Sequence, residues 1–338
     1  LRAQGLFLWS DRACRAAPVL VSEGVAGRIS RGVLSVFLGA VLAMLVHLLL
    51  ETGIRRDDVL LMQLPNCVEQ FVVYMGCARL GIMVTPVPTQ YRENELDHIL
   101  ESTDATAVVT FTRIGKPTGG HASAEMFAQM QPRHPHLRHI LAWGDNVAPA
   151  FIDIGQRTAL PLTNAQREQL AQAERAAAVT ANDVFTICWT SGTEAQPKGV
   201  PRSHNEWLVV APSIIEAGQI REHARLLNPF PLVNMAGIST AIASWLVQGA
   251  TVVQHHPFTL PVFLQQLRDE HIDYTVAPPA VLNMLLQNTQ LLEGIDVQPA
   301  RHPALHIREA VGQRERQLLR RRRPRLTDVV AADGDGVP

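Results

Sequence analysis

The chain is 338 residues long, 47% hydrophobic and 18% charged, and its 30 Lys and Arg against 31 Asp and Glu leave a formal net charge of -1. That length supports a sizeable core in one large or two ordinary domains. The balanced charge excludes a protein that gathers nucleic acid or acidic membranes through a global positive field. The four cysteines, Cys14, Cys67, Cys77 and Cys188, form no CxxC pair and read as scattered small apolar residues, which fits a reducing cytoplasm.

In chain order, the first informative segment is Val33 to Leu50, free of formal charge and at the lower edge of what spans a bilayer. It begins far from the N-terminus and no small-residue cleavage pattern follows it, so it does not read as a signal peptide. Gly39 and His47 interrupt it. A buried helix is the favoured reading, and attachment to a membrane through Val33 to Leu50 is the alternative.

From residue 51 onward apolar strands alternate with helical stretches, the pattern of a layered α/β domain with largely parallel sheets. Asp58 to Leu64 reads as a strand. A helix then opens with Asn66 as cap and Glu69 three positions later, lined by Val68, Phe71, Val72 and Met75 and ended by Gly81. Ile82 to Val87 is a second strand, Glu93 to Ser102 a helix, and Ala107 to Thr110 a third strand. Residues 111 to 138, rich in Gly, Pro, His and polar side chains, read as a surface excursion. His134, His136 and His139 have no Cys or carboxylate interleaved at ligand spacing, so they belong to a solvated loop and not to a metal site. Ala165 to Ala177 is helical. There is no internal repeat.

The chemistry concentrates in Cys188 to Val200, CWTSGTEAQPKGV, fed by the apolar run Val184 to Trp189. Gly192 and Gly199 remove bulk so that backbone can approach an anion, Thr190, Ser191 and Thr193 add uncharged hydroxyl donors, and Lys198 adds a point charge. This is the layout expected around phosphate, and a nucleoside triphosphate is the first ligand to suspect. The phosphate loop of nucleotide hydrolases places Lys after the second Gly and Ser or Thr after Lys, whereas Lys198 precedes Gly199 and Val200 follows. The plain alternative is a Gly/Ser/Thr/Pro turn between a strand and a helix.

The order Thr-Ser-Gly-Thr, three residues, Pro-Lys-Gly-Val resembles the signature of the AMP-forming, or adenylate-forming, ligase superfamily. Acyl-CoA synthetases, aryl-acid ligases, peptide synthetase adenylation domains and luciferases belong to it. Glu194 and Ala195 stand where that family more often has Thr-Gly, which puts a carboxylate in a loop for polyanions. Downstream, NPFPLVNMAG resembles the family's Pro-x-x-His-x-x-Gly segment, with Asn234 in the place of the residue that gates the carboxylate pocket. Asn234 has two readings, a substrate contact together with Met235 and Gly237, or a helix cap. Val276 to Pro279 and the early segment RLGIMVTPVPTQYRENEL also resemble the family. His204 reads as a helix N-terminal residue near the nucleotide rather than a general base, and His255 with His256 as a strand-end surface pair.

The resemblance implies the layered N-terminal portion of the adenylate-forming ligase fold and a two-step reaction. A carboxylate attacks the α-phosphorus of ATP to give an acyl adenylate and pyrophosphate, and a thiol, that of coenzyme A or another acceptor, then takes the acyl group. Thr190, Ser191, Gly192, Thr193, Glu194, Lys198 and Gly199 are the implied nucleotide-binding set, with Lys198 also catalytic. Mg2+ completes the charge neutralisation, and no side chain is assigned to it. A small-molecule carboxylic acid is the implied partner, nucleic acid is not, and fatty, aryl and cyclic acids all stay open. Beyond about residue 298 the family's Tyr-Gly-x-Thr-Glu and Thr-Gly-Asp segments and the small C-terminal domain with its lysine are not found. The expected division is an atypical segment at 1–40, a partial adenylation domain at 41–298 and a basic tail at 299–338 containing Arg320 to Arg323 and Arg325. A truncated or frame-disturbed ligase is the expectation, with a non-catalytic nucleotide- and acyl-binding fragment or a membrane-attached protein as rivals.

Overall fold

A computed structural model describes residues 19–21, 31–115, 120–190, 196–255 and 257–292. After the short strand β1 (Val19–Val21), the charge-free segment forms helix α1 (Arg31–Glu51). Leu42, Leu45, Val46, Leu48 and Leu49 of α1 are at most 2% exposed. Each such burial contributes about 1.5–3 kcal/mol, so the apolar run is accounted for by the core. Among the described residues no helix is long and apolar enough to cross a membrane.

Strand β2 (Val59–Gln63) is buried along its whole length. Helix α2 (Val68–Leu80) follows, and here one expectation fails: the N-cap is Cys67, because the Asn66 side chain is used elsewhere. Gly81 closes α2 with φ 70°, a left-handed turn that favours glycine. Strand β3 (Met83–Pro86), helix α3 (Glu93–Thr103) and strand β4 (Ala107–Phe111) come next. The surface excursion expected over 111–138 is also corrected. It contains helix α4 (Ser123–Met130), whose Ala124, Phe127 and Met130 are fully buried. The Gly, Pro and His residues around it mask an eight-residue amphipathic helix that tertiary packing supports. His134 Nε2 lies 2.7 Å from Asp97 and His136 Nε2 3.6 Å from Asp104, while His139 opens strand β5 (His139–Trp143).

The remaining elements are strand β6 (Ile152–Asp153), helices α5 (Ile154–Arg157) and α6 (Asn164–Ala177), strands β7 (Val184–Trp189) and β8 (Gly199–Ser203), and helix α7 (His204–Ala217). Strand β9 (Arg225–Leu227) leads to helix α8, made of Met235–Gly237, a π-helical segment Ile238–Ala243 and Ser244–Gln248. Strand β10 (Thr251–Gln254), helix α9 (Leu260–Asp269), strand β11 (Tyr274–Thr275) and helix α10 (Pro279–Gln287) complete the described chain.

Two sheets organise these elements. Seven strands run in the order β6-β5-β4-β2-β3-β7-β8, and four in the order β1-β10-β9-β11. Every strand pair is parallel except β7 with β8. The largest core cluster joins α1 and α2 to both sheets, with Phe71 and Tyr74 packed near Trp245 and Phe185. A second cluster places α3 and α4 on the far face of the large sheet, and a third places α9 and α10 on the far face of the small one. The result is a five-layer α/β arrangement. In parallel sheets of this kind ligands sit outside the carboxyl ends of the strands, and here those ends of both sheets face one cleft.

Candidate active site

The strands on either side of the glycine- and hydroxyl-rich loop pair with each other, so the chain passes from strand to strand here and not from strand to helix as the sequence also allowed. Strand β8 returns antiparallel along β7, pairing Trp189 with Gly199 and Cys188 with Val200, before α7 begins. Ser203 caps α7: its Oγ accepts from the Glu206 N–H at 3.3 Å, and Glu206 Oε2 accepts from the Ser203 N–H at 2.7 Å. Ser191, Gly192, Thr193 and Glu194 lie outside the described residues. The two ends of the loop are joined directly: Thr190 N–H donates to Lys198 O at 3.1 Å, and Lys198 N–H donates to Thr190 Oγ1 at 3.3 Å. Among the described residues Thr190 Oγ1 donates to no acceptor, and Lys198 is exposed. Among the described residues no carboxylate pairs with the Lys198 ammonium.

Side chains absent from the sequence reading hold this hairpin in place. His98 of α3 makes a 3.0 Å contact from Nε2 to Pro197 O, and since a carbonyl only accepts, Nε2 carries the proton. The His98 ring packs edge-on against Trp189 with centroids 5.8 Å apart, and Trp189 Nε1 donates to Thr85 Oγ1 at 2.7 Å. Gly199 serves this packing, since a Cβ there would lie 2.9 Å from Ile187 Cγ2 and 3.3 Å from the Trp189 ring. Behind the strand, Cys188 is buried, which raises its thiol to about 11. His204 is 1% exposed and stacked on Phe185 at 4.9 Å, and burial lowers its imidazole to about 4 against a small opposing pull from Asp183. It sits beneath the hairpin as a neutral core ring.

The second constellation lies beyond β9. Asn234 caps α8, its Oδ1 accepting from the Gly237 N–H at 2.8 Å. Among the described residues its amide nitrogen has no partner. Gly237 is required by close approach, because a Cβ would stand 2.2 Å from the Pro231 carbonyl oxygen. Met235 is 42% exposed. In the π-helical turn Ser239 Oγ and Thr240 Oγ1 donate to the carbonyls of Met235 and Ala236, each at 2.7 Å, which satisfies groups that the wider turn frees. Thus Thr190 and Lys198 are in contact with one another, while Asn234, Met235 and Gly237 form a separate helix start after the other sheet.

An open cleft of about 290 Å³ is lined by Leu64, Pro65 and Asn66 after β2, Pro88 to Gln90 after β3, Pro229, Pro231 and Val233 after β9, and His255, Pro257 and Phe258 after β10. Gln63, fully buried, donates to the carbonyls of Pro88 and Tyr91, each at 3.1 Å, and accepts from Ser123 Oγ at 2.9 Å. Thr110 Oγ1 donates to Gln63 O at 3.1 Å and lies 2.8 Å from Ser123 Oγ, so a buried polar network sets the β3 rim of the cleft. Only the polarity of Gln63 at the end of an apolar strand hinted at this. His255 is not the surface residue expected. It is half-buried, bonded through Nδ1 to Gln266 Oε1 at 2.8 Å and through Nε2 to the Thr259 N–H at 3.0 Å, and His256 lies outside the described residues. Among the described residues no three His, Cys, Asp or Glu come together in a metal-holding group.

The comparisons with known proteins bear on the family and the fold. A methyl-dioxo-octahydroindenyl-propanoyl:CoA ligase of Rhodococcus jostii is 26% identical over 242 residues, covering 70% of this chain and 45% of that protein. The long-chain-fatty-acid–CoA ligase FadD13 of Mycobacterium tuberculosis is 27% identical over 242 residues, covering 71% and 43%. The chain therefore spans less than half the length of these curated relatives. Among solved structures, the inhibitor-bound N-terminal domain of FACL13 from Mycobacterium tuberculosis superposes with a TM-score of 0.68 at 22% identity, over 88% of this chain and 67% of that one. Residues 42–321 match the family described as AMP-binding enzyme. The chain belongs to the AMP-binding enzyme family, in the fold of the N-terminal domain of adenylate-forming ligases.

Proposed function

We propose that this chain carries the nucleotide- and acid-binding part of an ATP-dependent acid–CoA ligase, which forms an acyl adenylate and passes the acyl group to the thiol of coenzyme A. The observation that carries the reading is the Thr190–Lys198 closure of the β7–β8 hairpin, steadied by His98 at Pro197. It leaves an exposed ammonium and a free hydroxyl proton at the mouth of a loop of small residues, a donor set suited to phosphate oxygens. The backbone N–H groups of Thr190 and Lys198 are already used, so the described part of the loop offers the Lys198 side chain, the Thr190 hydroxyl and the amide groups of the exposed Gln196 as donors. Mg2+ bound with the nucleotide would neutralise the phosphates further. The acid lies toward the cleft and the start of α8, where Asn234 has an amide nitrogen to donate. Both CoA ligase relatives support acid and CoA as the small-molecule partners. A cytoplasmic location and the division into 1–40, 41–298 and 299–338 go with the same reading.

Calorimetry of Mg-ATP binding to the purified chain tests it. Lys198→Ala weakens binding about tenfold, the scale of one charge-assisted hydrogen bond, with the fold unchanged. A folded chain that binds no ATP overturns the reading.

A further inference from the structure

We infer that the cleft walled by Leu64, Pro88, Pro231, Val233, His255 and Phe258 takes the uncharged body of a compact, ring-shaped carboxylic acid. This rests on the ligase reading and narrows its substrate.

None of the described residues lining the cleft is Asp, Glu, Lys or Arg. With no cationic side chain in the lining to pair it, the acid group is better held in water at the open mouth, so only its body enters. The polar atoms of the wall are largely engaged. Asn66 bonds Phe230 O and the Leu232 N–H, and His255 accepts from the Thr259 N–H through Nε2, which fixes its proton on Nδ1 toward Gln266. His255 therefore offers ring surface and not a polar edge. It lies stacked with Phe258, centroids 5.5 Å apart and planes 27° from parallel, a surface suited to offset stacking of a planar ligand. Thr89 and Gln90 carry no side-chain hydrogen bond among the described residues and can meet one oxo or hydroxyl substituent.

Size and rigidity narrow the ligand further. A cavity of roughly 150 Å³ holds a benzene ring. The cleft, at about 290 Å³, has room for two fused rings or one substituted ring. Pro65, Pro88, Pro229, Pro231 and Pro257 stiffen the walls, and Gln63 pins the Pro88–Tyr91 rim, so the space is preformed. A flexible chain gains less there, because it must also lose rotamer freedom on entering.

The test is calorimetry on the full chain with 2-naphthoate, decanoate, coenzyme A and Mg-ATP as probes, using wild type, Gln90→Trp and Phe258→Ala. Gln90 is exposed at the rim, so Gln90→Trp fills the mouth without touching the core. The expected result is naphthoate bound more tightly than decanoate, with each variant weakening naphthoate about tenfold while Mg-ATP affinity holds. Decanoate bound as tightly, naphthoate indifferent to both variants, or a loss confined to coenzyme A overturns the inference, the last by giving the cleft to the thiol. Loss of Mg-ATP binding in folded wild type would instead sink the ligase reading itself.

Discussion

Asn66 holds Leu232 across the two sheets: its Oδ1 accepts from the Leu232 N–H at 2.9 Å, while its Nδ2 donates to the neighbouring Phe230 carbonyl at 2.8 Å. One side chain after β2 thus fixes the segment that leads from β9 into α8. Asn66→Ala leaves the buried Leu232 N–H without its partner, while Phe230 O keeps the Asn228 Nδ2 donor at 2.9 Å, and the change is expected to cost about 1–3 kcal/mol in urea unfolding. Asn66→Asp keeps the acceptor but sets an oxygen against the Phe230 carbonyl, and it is expected to rescue little. A loss below about 0.5 kcal/mol for Asn66→Ala, the level of an ordinary surface substitution, would refute this bridge.

Gly237 tests the same junction sterically. With a Cβ only 2.2 Å from Pro231 O, Gly237→Ala forces backbone to move. Overpacking of this kind costs roughly 1–3 kcal/mol, and backbone on the opposing side places the expected value at the upper end. Thermal unfolding reads it, and a wild-type melting temperature would show that α8 starts elsewhere.

His98 tests whether the hairpin is held from α3. His98→Ala removes the proton donated to Pro197 O and the edge contact with Trp189, and should weaken Mg-ATP binding about threefold to tenfold through a less ordered loop. His98→Gln, which can still donate at that carbonyl, should recover part of the loss. Equal loss in both variants, together with a fall in stability, would mark His98 as packing alone.

Acid stability should report His204. Its imidazole titrates near 4 when folded, because it is buried, and near about 6.5 when unfolded. Above the unfolded value both states are neutral and the folded state keeps its full stability. As pH falls from about 6.5 to 4 the unfolded chain takes up the proton first, so roughly 3 kcal/mol is lost over that window, and below it the term is flat. His204→Phe, which keeps a ring against Phe185, should flatten the dependence between those pH values in denaturant titrations. An unchanged slope would assign the acid sensitivity to other groups.

The alternation of apolar strands and helices, the glycine that closes α2 and the spacing of Thr190 to Val200 were legible in the sequence, because each depends on neighbours a few residues apart. So were the α/β class and the family, carried by the loop motif and the Pro231–Gly237 segment. Asn234 as a cap was one of two local readings, and the Gly237 N–H at 2.8 Å shows the cap made. The sequence did not show that Asn66 bridges to Leu232 instead of capping α2, that α4 is buried, that Gly199 yields space to Trp189, or that Gln63 and His98 hold the cleft rim and the hairpin. Their partners lie far away in sequence, from Gln63 to Ser123 and from His98 to Pro197, and are chosen only when parallel strands set their carboxyl ends side by side. The short-range pattern determined which elements form. Long-range packing and the need to satisfy every buried polar group decided which side chains those elements bring to the cleft.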